Sequence, residues 1–157
     1  MSNVAESTSD RDDMESVRIQ RVAAKNDVVF ETLFKALGDR VSIYDERHPQ
    51  DIEPPKAVSI FRGPFLSSKS SLRIQKNIEP LSSLTLDFPI NSGAMHIELL
   101  AKAGQRSGAI RLDVVSDAPT YYFDGKGHSA DTLADLLFEA VLSPKESLGA
   151  GRKIGFV

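Results

Sequence analysis

The stretch FDGKGHSAD, 123–131, holds side chains that are able to bind a metal ion. Asp124, His128 and Asp131 offer one imidazole and two carboxylates, a ligand set that suits zinc or manganese. No further ligand is anchored nearby in the sequence. Asp131 also has a second reason to be acidic, because a carboxylate in the first turn of a helix is stabilised by the helix dipole. The stretch is therefore a candidate metal site with an incomplete ligand set.

The same stretch allows two other interpretations. Its Gly-Lys-Gly run suggests a phosphate cradle, but the pattern G-x-x-x-x-G-K-[ST] is absent and the neighbouring aspartates would repel an anion. A turn accounts for more of the residues, since Gly125 and Gly127 would adopt positive φ and Ser129 would cap the helix that follows. A turn that leads into a helix is the favoured interpretation.

A second candidate site lies on the predicted sheet. If the strands alternate, the face opposite the core displays Arg73, Gln75, Asp87, His96, Glu98, Arg111, Asp113 and Tyr122. Asp87, His96 and Asp113 would meet across neighbouring strands as an acid–base or metal-binding group. The alternative is a solvated face with cross-strand ion pairs, such as Glu98 with Arg111. Neither candidate contains a nucleophile with a base and an orienting partner, which disfavours an enzyme.

A third candidate is the segment 57–86, which carries four basic residues and one acidic residue in a chain of net charge −3. Aromatic and basic residues mix within it at Phe61, Arg62, Phe65, Lys69, Arg73 and Lys76. Such a surface can stack on single-stranded nucleic acid. The acidic total disfavours a general nucleic-acid binder, because affinity for nucleic acid comes largely from neutralising phosphates. An acidic protein partner fits the segment at least as well.

Helical periodicity is present near both ends of the chain. Apolar residues at i, i+3, i+4 and i+7 spacing predict a helix over 14–37, which Gly38 would end. The apolar face of ADTLADLLFEAV, with Ser129 as its N-cap, predicts a second helix over 129–143.

Between the helices the period changes to two, which predicts five or six short strands within 57–124. The most secure pair joins 95–102 to 109–115 through AGQRSG. The predicted fold is a two-layer α+β domain, an antiparallel β-meander covered on one face by a long N-terminal helix and a C-terminal helix. This element order is loosely similar to secretion-chaperone-like domains and helix-grip ligand binders, and no functional residue carries over from them.

The termini differ from the rest in composition. Residues 1–12 are acidic and poor in apolar groups, which predicts a disordered tail, and 13–157 form the single domain. Three glycines in SLGAGRKIGFV predict a flexible tail over 144–157. The chain has no Cys, no signal-peptide pattern and no apolar run of the ~18 residues that a membrane span needs. We therefore expect a soluble, cytoplasmic protein without a cofactor.

The function predicted from these features is a non-enzymatic protein-interaction module that binds a partner or a second copy of itself. The first helix is apolar around more than half its circumference, as expected of a helix that packs on two sides. The predicted partner-binding residues are Val28, Phe30, Phe34, Phe65 and Arg73. The alternatives are a metal-dependent enzyme or small-ligand binder at the sheet face or the 124–131 turn, and an accessory nucleic-acid-binding protein acting through 61–76.

Overall fold

The computed structural model of the chain describes residues 3–48, 56–64, 70–102, 104–123 and 125–143, with the backbone alone over 3–12. The helices are α1 (Asn3–Ala24), α2 (Asn26–Arg47) and α3 (Ala130–Leu142). The strands are β1 (Val58–Arg62), β2 (Ser71–Lys76), β3 (Ser82–Asp87), β4 (Ala94–Ala101), β5 (Gly104–Val115), β6 (Ala118–Phe123) and β7 (Lys126–His128).

The strands form one antiparallel sheet whose spatial order follows the chain from β1 to β7. Helices α2 and α3 contact each other and several strands, so they cover one face of the sheet. Apolar residues on alternate positions of the strands close the core beneath them, among them Leu72, Leu86 and Ile97 in one cross-strand row. The two-layer α+β class is confirmed, and the described residues form a sheet of seven strands where five or six were predicted.

The additional strand is β7, which lies within the stretch predicted to be only a turn. Gly125 has the expected positive φ of 72°, but Gly127 lies in β7 opposite Tyr122. A Cβ on Gly127 would come within 2.8 Å of Thr120 Cγ2 and 3.1 Å of Tyr122 Cε1. Gly127 is therefore explained by close cross-strand packing. Ser129 caps α3 as predicted, accepting a hydrogen bond from the Thr132 amide at 3.2 Å.

The predicted β4–β5 hairpin is present, with Ala94 opposite Arg111 and Ala101 opposite Gly104. Its strands continue further than the sequence indicates, since 104–108 were interpreted as loop and belong to β5. Glycine and serine are common in loops, but both residues are able to adopt the extended backbone conformation of a strand when a partner strand is present.

The predicted helix 14–37 corresponds to two helices that meet at Lys25. The Lys25 amide donates to the Val22 carbonyl at 3.1 Å, a tightened turn at which α1 ends and α2 begins. Gly38 does not end α2, which continues to Arg47 and places Val41 in the core. Helix α1 begins at Asn3, within the segment predicted to be disordered. Once part of a helix is formed, each further residue adds a hydrogen bond without a new nucleation cost.

The flexible tail predicted over 144–157 lies outside the described residues. Within the described part of the chain, none of the three helices combines the length and the apolar composition that crossing a bilayer requires.

Candidate protein-binding groove

Among the strands that the structure describes, β1 lies at the edge of the sheet and pairs with β2 on one side only. The Ala57 carbonyl accepts from the Asn77 amide at 2.8 Å, and the Gly63 amide donates to the Ser71 carbonyl at 2.7 Å. Because the hydrogen-bonded pairs of an antiparallel ladder recur at every second residue, the odd-numbered residues of β1 bond to β2. The backbone groups of Val58, Ile60 and Arg62 consequently point away from the sheet.

One of these outward groups has a partner in α2. The Val58 amide donates to Asp45 Oδ1 at 3.0 Å. Among the described residues, no hydrogen bond is made by the outward N–H and C=O groups of Ile60 or Arg62 or by the Val58 carbonyl. An edge strand with free donors and acceptors is a template for pairing with another extended chain.

A groove of about 810 Å³ runs between this edge and α2. Helix α2 bonds β1 at both ends, Glu31 to Arg62 and Asp45 to Val58, so the two elements run antiparallel. Gly38 is midway between Glu31 and Asp45, which places it beside Ile60 at the centre. The groove is lined by Glu31, Phe34, Lys35, Gly38, Asp39, Val41, Ser42, Asp45, Lys56, Val58, Ser59, Ile60, Phe61 and Arg62.

Gly38 is unusual because it occupies the interior of a 22-residue helix. A glycine there costs about 1 kcal/mol relative to alanine, since it loses more backbone entropy on folding. Apart from its chain neighbours and the backbone of its own helix, a Cβ built at Gly38 meets no atom of the described residues within 4 Å. Neither a close contact nor a positive φ requires this glycine among the described residues. Its effect is to widen the middle of the groove.

Arg62 closes one end of the groove. Its guanidinium lies 4.1 Å from the ring centroid of Phe34 and 5.6 Å from that of Phe30. Arg62 Nη2 also donates to Glu31 Oε2 at 2.8 Å. This hydrogen bond lowers the pKa of the Glu31 carboxyl below its ordinary value of 4.5 and raises the pKa of Arg62. At this end of the groove, the ion pair of Arg62 with Glu31 therefore lies beside the rings of Phe30 and Phe34.

The predicted partner-binding residues fall in different places. Phe34 lines the groove, and Val28 is half-buried outside it. Phe30 is only 7% exposed, because its ring packs edge-on against Phe88. Arg73 lies on the opposite face of the sheet, where its Nε donates to Thr85 Oγ1 at 3.0 Å. Phe65 lies outside the described residues.

The two described members of the predicted metal site have other contacts. The ring of His128 stacks on Phe123 with centroids 3.8 Å apart. The carbonyl of Asp131 accepts a hydrogen bond from Arg40 Nη2 at 3.0 Å, and its carboxylate forms an ion pair with the same residue. Asp124 lies outside the described residues. Nothing in the described part of the chain groups three or more His, Cys, Asp or Glu residues as a metal site would.

The residues predicted to meet on the sheet face are only partly together. Asp87 and His96 are opposite each other on β3 and β4, with Asp87 buried and His96 exposed. Asp113 is further along β5 and forms a bidentate pair with Arg21 of α1. Glu98 is opposite Ser107, not Arg111 as predicted.

Arg111 bonds Glu15 of α1 instead. The salt-bridge pairing was predicted incorrectly because the hairpin turn was placed too far along β5, which shifted the register.

Sequence reasoning missed the edge of β1 and the groove beside it. The alternation of apolar and polar residues predicts strands but not their order in the sheet, so the outermost strand could not be identified from the sequence. Gly38 was a usable signal, but it was interpreted as the end of a helix. The chain matches no protein-family model, and no curated protein or solved structure is significantly similar to it. Its function must therefore be inferred from the groove.

Proposed function

We propose that the protein is a non-enzymatic interaction module that binds a partner protein in the groove between α2 and β1. The observation that carries the proposal is the combination of unpaired backbone groups at Ile60 with an open, partly apolar groove directly beside them. Exposed sheet edges are usually short, charged or covered, because they otherwise pair with other chains.

The lining of the groove supports binding of a peptide or protein surface. Apolar side chains of Phe34, Val41 and Ile60 form its interior, while charged residues stand along its rim. An apolar interior with a polar rim is the usual composition of a protein-binding patch. Of the charged residues, Glu31, Arg62 and Asp45 are engaged within the chain. A partner would therefore desolvate few unpaired charges in the interior.

The test compares capture of proteins from a lysate of the source cell by the full chain and by two variants. Gly38→Leu fills the middle of the groove, since among the described residues a Cβ at this position has open space around it. Thr32→Leu is the matched control, because it adds the same side chain at an exposed position of α2 outside the groove. Quantitative mass spectrometry of the captured proteins gives the readout.

A partner retained by the unmodified chain and by Thr32→Leu, but lost with Gly38→Leu, supports the proposal. Capture that is equal for all three proteins would overturn it, because binding would then occur elsewhere on the surface. Circular dichroism checks that both variants are folded. Leucine has a higher helix propensity than glycine, so we expect Gly38→Leu to fold.

A further inference from the structure

We infer that the partner enters the groove as an extended segment that adds an eighth strand beside β1, with an apolar side chain over Gly38. This inference rests on the proposed function and specifies its mode of recognition. Strand addition is a common mode of peptide binding, in which main-chain hydrogen bonds give affinity and alternate side chains give specificity.

The hydrogen-bonding requirement comes from the outward groups of β1. The outward N–H and C=O of Ile60 are both able to bond one residue of an added strand. Arg62 has the same two outward groups, and Val58 has an outward carbonyl. A helical ligand has its own backbone groups already bonded and cannot satisfy this row. The strand of five residues is roughly 16 Å long, so the added segment needs about five residues in extended conformation.

The side-chain requirement comes from the face on which Ile60 lies. Ile60 is opposite Ile74 and packs against the core beneath the helices. Residues directly opposite each other in neighbouring strands project to the same face. The residue paired with Ile60 therefore projects toward α2, into the space that Gly38 leaves beside Phe34 and Val41. An apolar side chain fits there, and its two sequence neighbours face solvent on the other side of the sheet.

Asp45 determines where the added strand starts. Its carboxylate already accepts from the Val58 amide, so that donor is not available to a ligand. The first free donor is the Ile60 amide, and pairing extends from there toward Arg62. A charged side chain that protects one end of an edge strand is a known way to restrict edge pairing. The segment is thus placed in one register, with its apolar residue at Gly38.

Two contacts argue against a second copy of the chain as the occupant. In a symmetric antiparallel pair centred on Ile60, Val58 of each copy would face Arg62 of the other. That register needs the Val58 amide, which Asp45 occupies.

A symmetric pair centred on Phe61 avoids the Val58 amide, because Ile60 of each copy would then pair with Arg62 of the other. The residue directed toward Gly38 would be Arg62, a charged side chain that is bonded to Glu31 of its own chain. A partner segment is able to pair with Ile60 and Arg62 and place an apolar residue there.

The probe for this inference is a displayed library of random peptides about nine residues long, which exceeds the length of the groove. Selection against the full chain should enrich sequences with apolar residues at every second position and no proline at the residue paired with Ile60. Enriched peptides are then synthesised with a fluorophore, and their affinities are measured by fluorescence anisotropy.

The decisive variant is Ile60→Pro. The substitution removes the outward N–H without removing a hydrogen bond to β2, since the Ile60 amide does not bond to β2, and it also shortens the apolar side chain. We expect the peptides to bind this variant at least about tenfold more weakly, a change of the size of one backbone hydrogen bond with added crowding. Ile60→Val trims the same side chain and keeps the N–H, so we expect less than about a threefold change. Methylating the central peptide nitrogen should weaken binding to the unmodified chain similarly.

The outcomes separate this inference from the proposed function. Peptides that are lost with Gly38→Leu but unaffected by Ile60→Pro or N-methylation would overturn strand addition and leave groove binding intact. Peptides that bind all variants equally, or a library with no enrichment, would count against both. If light scattering shows a dimer that Ile60→Pro converts to a monomer, the occupant is a second copy and the inference is wrong. Should Ile60→Pro fail to fold, the N-methylated peptides decide the question with the unmodified chain.

Discussion

The guanidinium of Arg18 in α1 donates a hydrogen bond to the Gly93 carbonyl at 2.8 Å, across 75 positions of the sequence. The same nitrogen donates to the Leu112 carbonyl at 2.6 Å. The Gly93 carbonyl also accepts from the Leu112 amide at 2.9 Å, so Gly93 and Leu112 form the last pair between these two strands. Arg18 bonds the carbonyls of both residues and holds α1 against this end of β5.

Replacing Arg18 should destabilise the protein substantially. Arg18→Met keeps the apolar stem but leaves two buried carbonyl oxygens without this charged donor, and we expect a loss of about 2–3 kcal/mol in the free energy of unfolding. Urea denaturation followed by circular dichroism measures it. Arg21→Ala is the control, because the exposed pair of Arg21 with Asp113 should be worth about 1 kcal/mol or less. Equal losses for the two variants would contradict the role given to Arg18.

Alanine substitutions at two glycines should change stability in opposite directions. Gly93 has φ of 66°, and a Cβ there would lie 2.9 Å from both Arg18 Nη1 and Ile19 Cγ1. We expect Gly93→Ala to cost about 1–3 kcal/mol. Gly38→Ala meets open space in a helix and should stabilise the protein by about 0.5–1 kcal/mol. Thermal denaturation of both variants provides the measurement, and a destabilised Gly38→Ala would contradict the empty groove.

Tyr121 should make stability fall at alkaline pH. Its hydroxyl donates to the Val29 carbonyl at 2.8 Å, and burial raises its pKa above the ordinary 10.0. The unfolded state therefore loses this proton first, so the contribution of Tyr121 is complete below pH 10.0 and decreases above it.

Tyr121→Phe tests this dependence. We expect the variant to be about 1 kcal/mol less stable at neutral pH and the difference to shrink above pH 10.0. Urea titrations at a series of pH values measure both. A difference that is constant with pH would show that deprotonation of Tyr121 is not linked to unfolding.

Glu31 should titrate below its ordinary pKa of 4.5, because Arg62 donates hydrogen bonds to its carboxylate. The pair therefore favours the folded state above pH 4.5, and its contribution is lost as pH falls through the lowered pKa. The NMR shift of the Glu31 carboxyl carbon against pH gives the midpoint. In Arg62→Ala the midpoint should return toward 4.5, while in Arg21→Ala it should not move. An unchanged midpoint in Arg62→Ala would contradict the ion pair.

Much of the fold was predictable because one sheet face is buried. Burial on one side imposes apolar residues at every second position, as in Met95, Ile97 and Leu99, and that pattern predicted five or six of the strands. Strand β7 was missed because Lys-Gly-His has no apolar alternation. The break at Lys25 was missed because the apolar stripe continues across it from Val22 to Val29.

The candidate site was less predictable than the fold. Phe34 was predicted to bind a partner from the breadth of the apolar helix face, and it is among the residues that line the groove. The remainder of the site depends on β1 being outermost, which follows from the topology of the whole sheet. Phe30 has the same local pattern as Phe34, but its accessible side is covered by Phe88 from a distant part of the chain. Contacts of that range are not encoded in local periodicity.

The order of the strands in the sheet has a consequence for folding kinetics. Because each strand pairs with its neighbours in sequence, every ladder closes a short loop and has a low contact order. The slowest contacts to form should be those of the helices with distant elements, such as Arg18 with Leu112, 94 positions apart, and Arg40 with Asp135, 95 positions apart. The sheet can therefore assemble hairpin by hairpin before α1 docks, and Arg18 substitutions should accelerate unfolding more than they slow folding.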